Sequence, residues 1–320
     1  MKKVFVNAME FGQAIDEDLF CIEKASAKGK KMNDGRIPVI LSDKTGKVCG
    51  RCPASFSFQN GDCVELSAIV LSDEITNEKC VVIKEIKSAG EYEPADMYEG
   101  LPPEKIPVYI TSIREMIPKI DHPGYRALVE ACLTDEALQR LSEVPCTLNW
   151  YGRYRGAALA ATDQVTRMVV QSMAGYVKHG NGLTTAAPSW SLLLAASLLH
   201  AYGRTIYFEK DDPFKRSKLS ISLGYFPMLQ RAIQDVIRKN SDTVHLTDQE
   251  EANLLNVLAV SVSMKSEIRS ISKDGAILRG VIRMYADCDS YDWEVANHTP
   301  EEGENFYYSK NVRGYVMEVE

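Results

Sequence analysis

The chain lacks any run of about 18 consecutive apolar residues, the least a helix needs to cross a bilayer, so no membrane partner is expected. It also lacks an export signal. Residues 1–10 (Met-Lys-Lys-Val-Phe-Val-Asn-Ala-Met-Glu) begin with the charge of one but have no long apolar core. The protein is therefore expected in the cytoplasm, where its 8 cysteines stay reduced rather than paired. Those cysteines are scattered, and Cys49-Gly50-Arg51-Cys52 is no more than a weak metal knuckle. Histidine is scarce, at 5 residues, and His122, His179, His245 and His298 all fall in expected loops or element ends. There is no glycine-rich dinucleotide fingerprint, no P-loop and no nucleophile elbow; Gly180-Asn181-Gly182 reads as a loop. No serine, histidine and aspartate can be nominated as a triad. An excess of basic charge is missing too: 37 Lys and Arg against 44 Asp and Glu give a net charge of −7. That argues against indiscriminate nucleic-acid binding, but not against a local basic groove.

What is present is ordinary for a globular protein: 45% hydrophobic and 25% charged residues over 320 positions, with two domains as the fair expectation. The first, residues 1–90, reads as short strands separated by turns. Residues 18–26 alternate like a half-buried strand, and 36–42 form a second. The turn Asp43-Lys44-Thr45-Gly46 leads into a third at 47–52. Asn60-Gly61 precedes a fourth at 62–72, and a fifth follows at 79–87. This order fits an OB-fold β-barrel, with Pro38 at an edge or barrel rim because it cannot donate to a ladder. The first inter-strand loop carries Lys28, Lys30 and Lys31, flanked by Lys24 and Arg36. Lysines there would neutralise phosphates of a single strand, and Phe20, Phe56 and Phe58 are candidate stacking rings. The competing reading makes the lysines a solvated hairpin tip and the phenylalanines core.

Residues 91–104, with Pro94, Gly100, Pro102 and Pro103 among acidic residues, lack apolar periodicity and read as a linker. From 105 to 320 the spacing turns helical: 106–120, 125–132, 135–141, 156–177, 189–202, 219–238, 247–262 and 274–289. Thr134 is a plausible N-cap, and Thr247 with Glu250 makes a capping box. The strongly apolar stretch 189–202 should be a central buried helix. Residues 304–320, with Phe306, Tyr307, Tyr308 and Tyr315, read as a tail that packs back or pairs. The expected fold class is α+β multidomain: an OB-fold barrel followed by an all-α bundle.

Residues 198–204 read Leu-Leu-His-Ala-Tyr-Gly-Arg. This is similar to the Leu-Leu-His-Asp-Ile/Leu-Gly-Lys core of HD-domain metallohydrolases. With the strand-rich first domain and the linker, the chain resembles the YhaM-type 3′→5′ exoribonucleases over about 15–320. The resemblance implies an HD-like bundle whose His and Asp side chains would hold metal ions that activate water. Carried onto this sequence, the ligand positions fall at Thr162 or Asp163, at His200 and Ala201, near Ser220, near Val262 and Ser263, and at Ala286 or Asp287, with Asp289 beyond. Most are not ligands. A methyl group at Ala201 cannot hold a cation as a carboxylate does, and losing even outer supports of a metal site costs 10–100-fold in affinity or activity. Neither a metal nor another cofactor is expected, and metal-dependent catalysis is not expected either. The plainer reading of His200 is a core histidine hydrogen-bonded inside the bundle.

Around these positions the sequence interleaves Arg153, Arg155, Arg167, Arg204, Lys210, Lys215, Arg216 and Lys218 with Tyr151, Tyr154, Tyr202, Tyr207 and Phe208. Basic and aromatic residues together track a single strand; the plainer reading is a solvated face with packing tyrosines. The acidic cluster Asp287, Asp289, Asp292 and Glu294 reads as a charged helix end or a weak cation site. Three functions follow. The preferred one is a protein that binds single-stranded DNA or RNA without cleaving it. The others are an interaction or scaffold subunit and a residual hydrolase using Asp163, His200 and Asp287. Under the preferred reading too, a homo-oligomer is expected.

Overall fold

Five strands close into a barrel in the N-terminal unit of the computed structural model: β1 (Ala14–Ala25), β2 (Arg36–Asp43), β3 (Gly46–Pro53), β4 (Cys63–Ser72) and β5 (Lys79–Ser88). The structure describes residues 2–25, 35–57, 61–73, 77–148, 150–179, 188–262, 272–297, 306–309 and 314–317. The strand order is β1-β2-β3-β5-β4, antiparallel throughout except between β3 and β5. Alternation sets the inside: in β4, Val64, Leu66, Ala68 and Val70 point to the core and their neighbours do not. Register shifts in β1 and β4 add the local twist that lets so few strands curl shut. Among the described residues the β1 pairing of β2 runs to Val39, and Pro38 is paired with Arg51 of β3.

Asp43, at the end of β2, ties the N-terminal segment to the barrel. One carboxylate oxygen accepts from Thr45 N–H at 2.8 Å within the β2–β3 turn; the other accepts from Val6 N–H at 2.8 Å and lies 3.2 Å from Lys2 Nζ. Lys2 is buried, donates to Leu19 O at 2.6 Å and rests 3.4 Å above the Phe20 ring. Desolvation pulls the Lys2 pKa down, against Asp43 and Asp18, which pull it up. Phe20 itself is 0% exposed in the barrel core, which corrects its reading as a stacking ring. Both sides of β1 are covered here, because Leu19 and Cys21 pack against Met97 of helix α1 (Pro94–Met97). Residues 91–104 are therefore not a featureless linker. In β3, Cys49 is exposed and Cys52 lies in the core, so the two thiols do not face a common site.

The chain divides after Gly100. The second unit contains α2 (Lys105–Met116), α3 (Pro123–Cys132), α4 (Asp135–Leu141), α5 (Ala157–His179), α6 (Trp190–Leu199), α7 (Arg204–Tyr207), α8 (Lys218–Leu223), α9 (Tyr225–Lys239), α10 (Asp248–Val262) and α11 (Lys273–Asn297). Caps fall where side chains can supply them: Ala137 N–H donates to Thr134 Oγ1, and Thr247 and Glu250 exchange bonds at 2.7 and 3.3 Å. The single helix expected over 219–238 is two, because Gly224 takes φ +79° between α8 and α9. The unit is also not all-α. β6 (Phe306–Ser309) and β7 (Gly314–Met317) pair antiparallel, as aromatic and β-branched residues favour. Among the described residues no helix is long and apolar enough to cross a membrane.

Helix α6 is apolar on every face and is packed by α3, α5, α10 and α11; Leu193, Leu194, Leu198 and Leu199 are each 0% exposed. Just past its end the chain passes directly over α9. A Cβ on Gly203 would stand 2.8 Å from Leu229 Cα and 3.1 Å from its backbone N, leaving no flexible atom to give way. Gly203→Ala is therefore expected to destabilise the fold by about 1–3 kcal/mol, the usual cost of overpacking. A urea midpoint equal to that of the wild type would show that α9 yields freely at this contact.

Candidate functional site

The residues Leu-Leu-His-Ala-Tyr-Gly-Arg occupy the corner between α6 and α7. His200 caps α6 and is 3% exposed. Its Nδ1 lies 2.7 Å from Ser197 O, and since a carbonyl only accepts, Nδ1 carries the proton. Burial pushes its pKa down to about 4, and the nearby Arg204 guanidinium lowers it further, against the Ser197 hydrogen bond. The ring is neutral at pH 7. The Tyr225 hydroxyl donates to His200 O at 2.6 Å, and Arg204 lies with its guanidinium carbon 3.6 Å above the Tyr225 ring. The arginine is thus held by a cation–π contact across the corner.

His200, Ala201 and Arg204 line one wall of a cavity of about 270 Å³. The loop after α4 forms a second wall with Cys146, Thr147, Trp150 and Tyr151. This loop is tied internally: Cys146 N–H donates to Gly152 O at 2.8 Å, and Thr147 Oγ1 accepts from the N–H of Trp150 and Tyr151 at 3.1 and 3.0 Å. Gly152 N–H donates to Asp289 Oδ2 at 2.6 Å, fixing the loop to α11. Helix α11 supplies the third wall through Arg279, Ile282 and Arg283, one turn apart on a shared face.

The charge of this cavity is one-sided. Arg204, Arg279 and Arg283 line it, and no carboxylate does among the described residues. Arg283 pairs with Asp287 at 2.7 Å on the exposed side of α11. Arg204 and Arg279 make no ion pair among the described residues. Burial holds the Cys146 thiol protonated, its pKa pushed up to about 12, and likewise pushes up the Tyr151 and Tyr225 hydroxyls. Nothing else described in the lining supplies a negative charge at neutral pH.

The other positions named from sequence scatter. Asp163 is buried and engaged: Ser112 Oγ donates to it, and Arg167 Nε, one turn along α5, lies 3.1 and 3.0 Å from its two oxygens. Ser220 is buried and donates to Ser217 O at 2.8 Å within the start of α8. Asp163, Ser220 and Asp287 do not line the cavity, and Ser263 lies outside the described residues. Among the described residues no three His, Cys, Asp or Glu side chains come together to hold a metal. The geometry therefore does not fit a residual hydrolase built on Asp163, His200 and Asp287. Arg153 donates to Trp150 O at 2.9 Å and stacks on Trp293, and neither it nor Arg155 lines the cavity. In the barrel, Arg36 is spent on the carbonyls of Arg51 and Ile83. Lys24 pairs through its backbone with Ile40; its side chain, with Lys28, Lys30, Lys31 and Phe58, lies outside the described residues. Arg279, Arg283 and Trp150 had no part in the sequence reading. The spacing Arg279-x-x-x-Arg283 was visible, but only the packing of α11 beside α6 gives it meaning.

The depressed His200 pKa has a definite consequence. The folded state holds the ring neutral down to about pH 4, while the unfolded chain binds the proton below about 6.5. Its contribution is complete above the unfolded pKa and is lost as pH falls through the folded one, amounting to ~2–3 kcal/mol between pH 7.5 and 4.5. Urea unfolding at these two pH values should show His200→Gln losing that much less than the wild type on acidification. Equal losses in both proteins would mean that the folded state protonates His200 normally.

No family model matches the chain, and no curated protein matches it. Among solved structures it is similar to the second OB-fold domain of replication protein A from Methanococcus maripaludis, at 18% identity, covering 29% of this chain and 99% of that one with a TM-score of 0.22. That score is too low to bear on function.

Proposed function

We propose that this is a cytoplasmic protein that binds single-stranded DNA or RNA through an OB-type barrel, and that its HD-like helical unit does not hydrolyse the strand by metal catalysis. The observation that carries the reading is the closed barrel in the order β1-β2-β3-β5-β4, with three lysines, Lys28, Lys30 and Lys31, in the segment joining β1 to β2. In barrels of this order that connection and the β2–β3 face embrace oligonucleotides. Several other basic groups of the barrel are engaged within it. Lys2 is buried, Arg51 pairs with Asp73 at 3.0 Å, and Lys47 pairs with Glu23 at 2.8 Å. The segment joining β1 to β2 gathers three lysines within four residues. On the helical side, Ala201 and Ser220 stand where the resemblance requires metal ligands, and the one retained histidine, His200, is committed through Nδ1 to its own helix.

Fluorescence anisotropy with labelled oligo-dT and oligo-U across a salt series tests this. The wild type should bind at low salt, and log affinity should fall linearly with log salt. The Lys28/Lys30/Lys31→Ala variant should bind more than tenfold more weakly, with a salt slope shallower by about 2, since each phosphate neutralised on a single strand contributes ~0.7. Gels of the same samples with Mn²⁺ should show full-length strands. Absence of binding at low salt, an unchanged slope in the variant, or Mn²⁺-dependent shortening would each sink the proposal.

A further inference from the structure

We propose that the arginine-lined cavity at the α6–α7 corner binds a small phosphomonoester that carries a flat ring, a nucleoside monophosphate being the simplest such ligand. The proposal is independent of the barrel and of strand binding.

The sign of the site comes first. Arg204, Arg279 and Arg283 converge on one cavity with no lining carboxylate among the described residues, and Asp287 offsets only Arg283. Like charges gathered around a concave surface repel one another, and an anion in their midst relieves that repulsion. Asp289, which acts electrostatically on Cys146 and Tyr151, gives one oxygen to Gly152 N–H at 2.6 Å and does not line the cavity.

The type of cation narrows the anion. Guanidinium groups present rigid forks that match phosphate oxygens in pairs, and they stay charged at every relevant pH. Arg204 is already held over Tyr225 at 3.6 Å, so part of the ordering cost of binding is met before the ligand arrives. Arg279 and Arg283 lie one helical turn apart on α11 and are both exposed; Arg279 makes no ion pair among the described residues, and Arg283 pairs with Asp287.

The uncharged lining narrows the rest of the ligand. Ser261 Oγ donates to Leu258 O at 2.9 Å, and Thr147 Oγ1 donates to Tyr151 O at 2.7 Å, so neither hydroxyl has its proton to offer. Ala201, Val262 and Ile282 are apolar. Trp150 is half-buried, packed edge-on to Tyr151 at 4.9 Å between ring centroids, with the Arg283 guanidinium 5.2 Å from its own centroid. Such a lining favours an aromatic surface next to the anion over a sugar chain or a free inorganic ion.

Isothermal titration of the full chain with AMP, adenosine and inorganic phosphate tests this directly. AMP should bind saturably, and adenosine and inorganic phosphate each at least tenfold more weakly. The Arg279→Gln/Arg283→Gln double variant should lose at least tenfold in AMP affinity, and because both side chains are exposed its ligand-free melting temperature should match the wild type. The Lys28/Lys30/Lys31→Ala variant should bind AMP as the wild type does, whatever happens to its strand binding. No saturable AMP binding, or AMP affinity unchanged in the arginine variant, overturns the site. AMP affinity lost in the lysine variant places the nucleotide in the barrel and overturns it too. Inorganic phosphate binding as tightly as AMP overturns the ring-bearing ligand.

Discussion

The helical unit depends on the complete burial of α6. A helix with leucine and alanine on all sides must be surrounded, and here four helices surround it. Because every face of α6 is packed, the chain can leave it only at its end, and there it runs against α9. Gly203 permits that approach, and no other residue type fits so near Leu229 backbone atoms. The turn that follows sets Arg204 on Tyr225 and leaves His200 and Ala201 as cavity wall. Hydrophobic packing thus fixes where the charged group stands, and the charged group contributes little to the packing itself.

That order of dependence leaves the shape of the corner independent of its chemistry. The turn needs glycine at 203 and apolar residues before 198; it does not need a carboxylate at 201. With alanine there, the histidine beside it directs its Nδ1 proton to Ser197 O. Desolvation then keeps the ring neutral. A neutral wall of this kind adds no charge, so the sign of the cavity is set by arginines from α7 and α11. Guanidiniums gathered there repel a cation, and the same sign is what makes an anion the proposed ligand.

Much of the barrel was legible because strands announce themselves locally. Period-two alternation and the Asp43–Gly46 turn located β2 and β3 within a residue or two. The start of β1 was missed because register shifts, with Glu17 at φ +45°, break the alternation there. Phe20 was misread for a related reason: Leu19 through Ile22 are all buried, one set by the barrel and the other by α1, so no alternation marks which ring faces inward. In the helical unit the apolar period runs straight across Gly224, and only its backbone angle divides α8 from α9. The α6–α7 corner could be read because its seven residues are contiguous. Arg279 and Arg283 could not, since nothing near them in sequence says that α11 lies beside α6.

The two units use their cations differently, and the difference follows from what surrounds each. In the barrel unit, several basic residues find carbonyls or carboxylates nearby: Lys2 reaches Leu19 O and Asp43, and Arg51 reaches Asp73. Such groups stabilise the barrel and are lost to a ligand. In the helical unit, Arg167 and Arg238 are likewise matched by acids one turn away on their own helices. Arg204 is matched instead by an aromatic face, which holds the guanidinium in place without neutralising it. A cation that is positioned yet still charged, beside a cavity and among neutral walls, keeps its full attraction for an anion. The net charge of −7 does not weaken this argument, because screening over about 8–10 Å confines the field of the distant acids.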